Sequence, residues 1–381
     1  MIRMNRSFGP FCRVLLLLLA AALFPAGAEA HAAASSAGRA EDTAAQEIAE
    51  EEPDVKRIVL GHVGDSYEWH IATAGGREWS LPLPVIVHSP SSGWHCFSAK
   101  RLRGGAEYEG LRIAADGDHA GKIVERQADG SDLRPLDLSI TKTVAGLLLN
   151  SALVVALVLG AARWYRGRKP DAAAPRGVVG LFETLVESLV DDLIEPCVGP
   201  SYRRFAPYLL TVFCFIFLNN LMGLIPFFPG GANVTGNIAV ALVLAVATFL
   251  VVNLSGSRRY WKDIFWPDVP TWLKVPVPII PLIELVGVFT KPFALMIRLF
   301  ANMLAGHAVI LSLTCVVFVT VKMGAAVNAS MTALSVLFSI FMNCLELLVA
   351  FLQAYVFTML SAVFIGLAQE RGGEADAGAE K

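Results

Sequence analysis

Charged residues are scarce in this chain, and its cysteines are few and unpaired. Only 17% of the 381 residues are charged and 55% are hydrophobic, a composition too apolar for a soluble protein of this size. The net charge of −2 gives no support for nucleic-acid binding. We therefore predict an integral membrane protein. The six cysteines show no paired spacing and lie at positions 12, 96, 197, 214, 315 and 344.

The first thirty residues have the pattern of a secretory signal peptide. A basic start precedes an apolar run at residues 14–24, and Ala28-Glu29-Ala30 matches a small-x-small cleavage site. The run has about 11 residues, short of the roughly 20 that cross a bilayer, so a first transmembrane helix is the weaker alternative. We predict a signal peptide at 1–30 and a disordered exported tether, rich in Ala, Ser and Glu, at 31–54.

A small β-rich exported domain is predicted at 55–138. Short apolar runs, such as 58–60 and 83–87, are separated there by Gly, Pro and Ser clusters. Cys96 would be alone in the exported part, so no disulfide framework is expected. Six of the seven histidines also lie in this part, but their spacing matches no ligand pattern. Surface or packing histidines are favoured, and neither a metal site nor a cofactor is predicted.

Basic clusters indicate the orientation of the predicted spans. A first span at about 143–162, within the segment 139–169, is followed by four basic residues: Arg163, Arg166, Arg168 and Lys169. By the positive-inside rule this end is cytoplasmic and the preceding domain lies outside. A membrane domain is predicted at 170–371, and a cytoplasmic tail at 372–381.

The membrane domain begins with an amphipathic helix and two spans. Residues 178–198 carry leucines at helical spacing among acidic residues, which predicts a helix on the cytoplasmic face. Spans are predicted at 208–228 and 238–254, with the turn 229–235 outside. Arg258, Arg259 and Lys262 then return the chain to the cytoplasm.

Two long apolar segments follow, at 281–321 and 331–368. As continuous helices they would be about 60 and 57 Å long, nearly twice the roughly 30 Å thickness of the hydrocarbon layer. They must tilt, kink or break, and Pro292 offers one kink. With a turn at 322–330, the sequence predicts an elongated hairpin lying obliquely in the bilayer, after about three spanning helices.

Arg298 lies deep within the first of these segments. An arginine at the centre of a spanning helix costs roughly 2.5–3.5 kcal/mol on insertion scales and stays charged, so it needs an anionic partner. At about 100° per residue, Arg298 shares a stripe with Glu284, Lys291, Asn302 and Ala305, whereas His307 points to nearly the opposite side. On the second segment, another stripe comprises Asn343, Glu346, Ala350 and Gln353.

These polar residues admit two interpretations. Helix packing explains Asn302, Asn343 and Gln353 as well as a functional role does, and snorkelling towards an interface explains Lys291. For Arg298, His307 and Glu346, the cost of burying the side chain favours a functional role. Imidazole titrates near about 6.5, and a buried carboxyl can be raised towards neutrality, so His307 with Glu346 could pass protons. Arg298 cannot relay protons, but it can repel cations and lower the pKa of a partner's carboxylate.

A specific motif surrounds the arginine. It runs from Lys291-Pro292 through Leu295-x-x-Arg298-Leu299-Phe300-x-Asn302-Met303-x-Ala305-Gly306-His307. With residues 233–235, Glu284 and residues 352–355, it resembles subunit a of the F-type rotary ATP synthases, over about 178–368. The resemblance implies an all-α membrane domain with an oblique helix hairpin.

The same resemblance implies roles and partners. Arg298 would be the stator arginine that faces the carboxylates of the c-subunit ring, as a barrier between two half-channels. His307 and Glu346 would occupy the positions where the family keeps an imidazole and an acid in either order, and Asn302, Gln353 and Glu284 would line the proton path. Peripheral-stalk b subunits, the rest of the complex and the lipid bilayer would be the other partners, in a bacterial inner membrane. The chain would be a non-catalytic subunit, and H⁺ is favoured over Na⁺ because His307 and Glu346 suit protons.

Two other function classes are possible from the sequence. An unrelated proton-coupled transporter would also carry buried Arg, His and Glu, but transporters usually contain inverted repeats and no internal duplication is evident. An anchor for the exported domain would need no buried arginine.

Overall fold

The computed structural model describes residues 65–74, 77–114, 119–126, 132–166, 175–225, 230–266 and 279–376. The predicted signal peptide at 1–30 and tether at 31–54 lie outside the described residues. So do residues 167–170, with two of the basic residues that indicate orientation.

The N-terminal part is a small domain of strands, called the sheet domain below. The strands are β1 (Glu68–Ala74), β2 (Arg77–Pro82), β3 (Pro84–Ser89), β4 (Gly93–Ser98), β5 (Leu111–Ile113), β6 (Ile123–Arg126), β7 (Asp132–Leu133) and β8 (Leu136–Asp137). β1 and β2 form a two-stranded antiparallel sheet, β4-β3-β8 a second sheet, and β5-β6-β7 a third. The 3₁₀ helix Ala99–Gly105 follows β4.

The core of the sheet domain follows from alternation along the strands. Val85 and Val87 on β3 are fully buried, whereas Ile86 between them is only half-buried, as expected when successive side chains point to opposite faces. They pack with Tyr67, Phe97 and Leu102 in one apolar cluster. This core comprises few residues, as expected for a small domain, which buries a smaller fraction of its surface than a large one.

The first membrane helix is joined directly to the sheet domain. Helix α1 (Lys142–Tyr165) begins at the N-cap Thr141, whose hydroxyl accepts from the Val144 amide. Asp65 accepts from the Thr143 amide at 3.0 Å, so a carboxylate lies at the positive end of the helix dipole. The helix start is therefore tied to the sheet domain.

Four shorter helices follow. Helix α2 (Val178–Leu189) continues through a π-helical turn (Val190–Ile194) and a single α-turn (Glu195–Val198). Two of the leucines predicted at helical spacing, Leu189 in α2 and Leu193 in the π-helical turn, are buried. Helix α3 (Tyr202–Gly223) and helix α4 (Ile238–Leu254) are apolar. Helix α5 (Arg258–Phe265) bends away from α4 by 103°.

Two long helices complete the chain. Helix α6 (Ile279–Thr320) continues through Pro292, and helix α7 (Ala325–Asp376) runs back against it. They have 42 and 52 residues, which at 1.5 Å per residue gives about 63 and 78 Å. Among the described residues, four helical segments are long and apolar enough to cross a bilayer, or five if the bent pair α4–α5 is one span. The prediction of a helical membrane protein is confirmed.

Several predicted boundaries are wrong. Helix α3 begins at Tyr202 rather than at 208, and it ends at Gly223 rather than at 228. The early end is explained by Pro226, because a proline disfavours helical backbone at the residue before it. The turn predicted at 322–330 is shorter in the structure, where it consists of Val321–Met323 and Gly324. The φ of Gly324 is +101°, a backbone conformation that glycine adopts readily. Helix α7 consequently starts at Ala325, and it continues to Asp376 within the predicted tail.

We predict that Glu125 makes the sheet domain sensitive to acid. Its buried carboxylate accepts from Ser89 Oγ at 2.6 Å and from Ser91 Oγ, and these hydrogen bonds hold its pKa below the ordinary value of 4.5. Because the folded pKa is depressed, this stabilisation is present above about pH 4.5 and is lost as the pH falls through the folded pKa. Glu125→Gln should lower the free energy of unfolding at pH 7 by about 1–3 kcal/mol.

The measurement is calorimetric unfolding of the full chain in detergent at pH 7 and pH 4. The difference between wild type and Glu125→Gln should shrink at the lower pH, whereas Glu107→Gln, at an exposed position, should match wild type at both. An equal difference at both pH values would contradict this role for the Glu125 carboxylate.

Candidate functional site

His307 and Glu346 meet between the two long helices. His307 Nδ1, on α6, lies 2.7 Å from Glu346 Oε1, on α7. The side chain of Glu346 is only 5% exposed, and that of His307 is 19% exposed. A buried carboxyl is costly unless it is paired or protonated, so this imidazole is its main compensation.

The other ring nitrogen of His307 determines how this pair can hold a proton. Nε2 lies 3.3 Å from the carbonyl oxygen of Gly223 at the end of α3, and since a carbonyl can only accept, Nε2 carries a hydrogen. Nδ1 then faces Glu346 either as part of an imidazolium beside a carboxylate, or as an acceptor beside a protonated carboxyl. Nδ1 and Oε1 lie 2.7 Å apart, a distance across which a proton can pass from one group to the other.

A glycine allows this close approach of the helices. A Cβ built on Gly306 would lie 2.8 Å from Glu346 Oε1, inside van der Waals contact. Small residues at helix interfaces in membranes let backbones and polar groups come together. The string Gly306-His307 therefore supplies both the space for Glu346 and its partner.

A second polar contact joins the same helices. Asn302 Nδ2 on α6 donates to Gln353 Oε1 on α7 at 2.8 Å, and Gln353 is 4% exposed. Glu346 and Gln353 are both buried on α7, as the predicted stripe requires, and Asn343 is half-buried beside them. The structure thus brings four of the six predicted site residues together in two pairs.

Arg298 is placed differently. Its side chain is exposed at the surface of the chain, and it makes no hydrogen bond or ion pair with any residue that the structure describes. It lies near the middle of α6, about 30 Å from either end. Lys291, Asn302 and Ala305 of the predicted stripe are also exposed, although Asn302 contacts Gln353 and the Lys291 ammonium lies 5.5 Å from the centre of the Phe364 ring, both on α7.

Glu284 is far from the His307 and Glu346 pair. It lines a pocket between α4, α5, α6 and α7, with Lys291, Asn253 and Tyr260 among the other lining residues. Along α6, Glu284 lies about 21 Å from Arg298 on one side, and His307 lies about 13 Å away on the other. Two polar regions therefore flank the arginine in opposite directions along the helix.

A buried network on α3 is a feature that the sequence did not predict. Asn220 Nδ2 donates to the Ala350 carbonyl oxygen at 3.3 Å, and Asn220 Oδ1 accepts from Thr235 Oγ1 at 2.6 Å. Asn150 on α1 donates to Asn219 Oδ1 at 2.9 Å. The adjacent asparagines within an apolar helix were the signal that could have identified this network.

The chain matches a known family over the part that holds these contacts. A family model described as ATP synthase A chain matches residues 148–366, more than half of the chain. The chain belongs to this family. A second model, described as a domain of unknown function, matches residues 58–138, which include the strands of the sheet domain.

Relatives extend the match. An ATP synthase subunit a 2 of Chlorobaculum tepidum is 47% identical over 238 residues, which cover 61% of this chain and 64% of the relative, a little under two thirds. An ATP synthase subunit a of Chlorobium phaeobacteroides is 45% identical, covering 63% of this chain and 68% of the relative. An ATP synthase subunit a of Anaeromyxobacter dehalogenans is 34% identical over 333 residues, covering 82% and 80%. A match over that share of the chain is too long for the membrane part and includes most of the sheet domain.

We predict that Gly306→Ala separates His307 from Glu346. The added Cβ would displace the Glu346 carboxyl or push α6 and α7 apart, and overpacking of this kind costs about 1–3 kcal/mol. The midpoint of thermal unfolding in detergent should fall. Gly287→Ala is the matched control on the same helix, because nothing lies within 4 Å of its Cβ position. Equal midpoints for the two variants would contradict a close contact at Gly306.

Proposed function

We propose that this chain is the stator of a rotary ATP synthase, passing protons through two half-channels to and from the carboxylates of a c-subunit ring. Family membership supports this function. The observation that carries the mechanism is the position of Arg298, exposed and unpaired among the described residues, with a polar region on each side of it along α6. An arginine in hydrocarbon without a partner would be costly, so a partner must supply the anion.

Each polar region would serve one half-channel. His307 and Glu346, near the loop between α3 and α4, would take protons from the exported side. The pocket with Glu284 and Lys291, near α5, would release them to the cytoplasmic side. This orientation agrees with the basic residues of α5 and with the basic end of α1. The sheet domain would then be periplasmic, in a bacterial inner membrane, and the C-terminus cytoplasmic.

Arg298 would act on the ring carboxylates by charge. A ring carboxyl that arrives protonated is neutral and can enter the lipid, whereas one that faces the guanidinium is favoured as a carboxylate and releases its proton. Since arginine stays protonated, no proton passes through it, and leakage from one half-channel to the other is blocked. Each proton that crosses would supply about 2.3 kcal/mol per 100 mV of membrane potential.

Further partners are proposed on the same grounds. Peripheral-stalk b subunits and the remainder of the complex would hold the chain against the torque of the ring. The chain itself would carry out no covalent chemistry and would need no cofactor. H⁺ rather than Na⁺ is the proposed ion, because the pair of His307 and Glu346 shares a proton.

The first test removes the stator charge. Inverted vesicles with Arg298→Ala and equal assembly of the complex should lose ATP-driven acidification, because ring carboxylates no longer exchange protons at a charged barrier. Passive proton leak through the membrane sector should rise in the same vesicles. Arg258→Ala, which removes an exposed arginine of α5, should pump like wild type. Normal pumping by assembled Arg298→Ala complexes would refute the rotary role of this arginine.

The second test exchanges the two members of the pair. Glu346→Gln and His307→Ala should each lower ATP-driven pumping about a hundredfold or more, since each removes a proton acceptor from the path. The double variant His307→Glu with Glu346→His keeps an imidazole and a carboxyl at the same place and should recover part of the rate. Pumping is recorded by fluorescence quenching in vesicles. A double variant no better than either of its single exchanges would argue against a shared proton relay.

A further inference from the structure

A buried tryptophan of the sheet domain contacts the loop between α3 and α4. Trp69 on β1 is 4% exposed, and its Nε1 donates to the carbonyl oxygen of Gly230 at 3.2 Å. Gly230 belongs to the outer loop, defined as residues 230–237 between α3 and α4. The indole also packs against Ala232 and Val234 of this loop, both buried.

Helix α1 closes the other side of the outer loop. A Cβ built on Gly146 would lie 2.7 Å from Ala232 Cβ and 3.4 Å from a methyl group of Val234. Glycine is therefore required for α1 to lie this close to the loop. Since the start of α1 is bonded to Asp65 and Ser66, the sheet domain and α1 hold the loop as two sides of one clamp.

The outer loop is in turn bonded to the residues that hold the His307 and Glu346 pair. Gly231 N donates to the Met222 carbonyl oxygen at 3.2 Å. The next residue, Gly223, has the carbonyl that accepts from His307, and a Cβ built on it would lie 3.6 Å from Ala232 O and 3.9 Å from His307 Nε2. The loop and the imidazole therefore approach the same glycine.

A second connection leads to the helix of Glu346. Thr235 Oγ1 donates to Asn220 Oδ1 at 2.6 Å, and Asn220 Nδ2 donates to the carbonyl oxygen of Ala350, one turn after Glu346. Both Thr235 and Asn220 are fully buried. A displacement of the outer loop would therefore reach both members of the pair, through α3 at His307 and through α7 at Glu346.

We propose that the sheet domain is a positioning clamp for the proton-entry side, in which Trp69 fixes the outer loop and thereby the geometry of His307 and Glu346. This inference rests on the proposed function. It gives the domain of unknown function a role in setting how readily the outer half-channel takes up protons, and it makes Trp69 a positioning residue that touches neither the proton nor the ring.

Among the described residues, the titratable side chains in contact at this site are the two members of the pair, His307 and Glu346. Glu346 is the charged side chain that faces His307 from α7, and α3 presents the Gly223 carbonyl. Misplacing either partner changes how tightly the pair shares its proton. The expected signature is therefore altered proton affinity on one side of the membrane, rather than a general loss of assembly.

The test is ATP synthesis by the whole complex in vesicles with the catalytic head outside, so that the sheet domain faces the lumen. Rates of ATP synthesis are recorded as a function of lumenal pH at fixed external pH, and then as a function of external pH at fixed lumenal pH. In Trp69→Phe, the lumenal proton concentration for half-maximal rate should change roughly threefold to tenfold, as expected for the loss of one hydrogen bond. The dependence on external pH should stay that of wild type.

Matched variants separate the clamp from other causes. Trp94→Phe removes an indole of the same domain that is 62% exposed, and it should match wild type. Thr235→Val, which removes the hydroxyl donor to Asn220, and Gly146→Ala, which presses on the loop from α1, should each alter the lumenal dependence. If Trp69→Phe only lowers the amount of assembled complex, with wild-type pH dependence per complex, the clamp is refuted.

The clamp can fail while the proposed function stands. A shift in Thr235→Val without one in Trp69→Phe would show that the loop matters but that the sheet domain does not position it. Loss of synthesis in Glu346→Gln, with wild-type behaviour of Trp69→Phe, would likewise refute the clamp alone. Normal synthesis in Glu346→Gln would instead contradict the proposed proton path.

Discussion

The rest of the site depends on the need to compensate the Glu346 carboxyl inside an apolar helix pair. With 5% of its side chain exposed, this carboxyl would be strongly destabilising without a partner, and His307 at 2.7 Å provides one. The pairing requires glycine at 306 to admit the carboxyl, and the Gly223 carbonyl fixes the ring through Nε2. The imidazole thus joins three helices, because Nδ1 faces Glu346 on α7 and Nε2 donates to the Gly223 carbonyl oxygen on α3.

Arg298 differs from Glu346, because its charge has no compensating partner within the described part of the chain. Its side chain is exposed. The histidine, nine residues later, faces inwards. His307 and Glu346 thus compensate each other within the chain, whereas the guanidinium of Arg298 is left for the partner proposed above.

Much of the membrane part could be predicted from the sequence, because hydropathy and helical periodicity are local signals. Helix α4 begins and ends where predicted, and the buried stripe of α7 contains Glu346 and Gln353 as expected. The predicted boundaries were wrong where single residues determine them: Pro226 explains the early end of α3, and Gly324 allows a short turn after Val321–Met323. Helix α5 was missed because eight residues with three basic side chains were interpreted only as an orientation signal.

The contact of Trp69 with Gly230 joins residues 161 positions apart and leaves no periodic pattern, so it required the structure. The most direct test of the central claim is an electron cryo-microscopy structure of the assembled complex in lipid. The account predicts the Arg298 guanidinium within about 4–6 Å of a ring carboxylate, the range over which opposite charges shift pKa values strongly, with His307 and Glu346 open to the exported side. An Arg298 paired within its own chain, or facing lipid with no ring nearby, would contradict it.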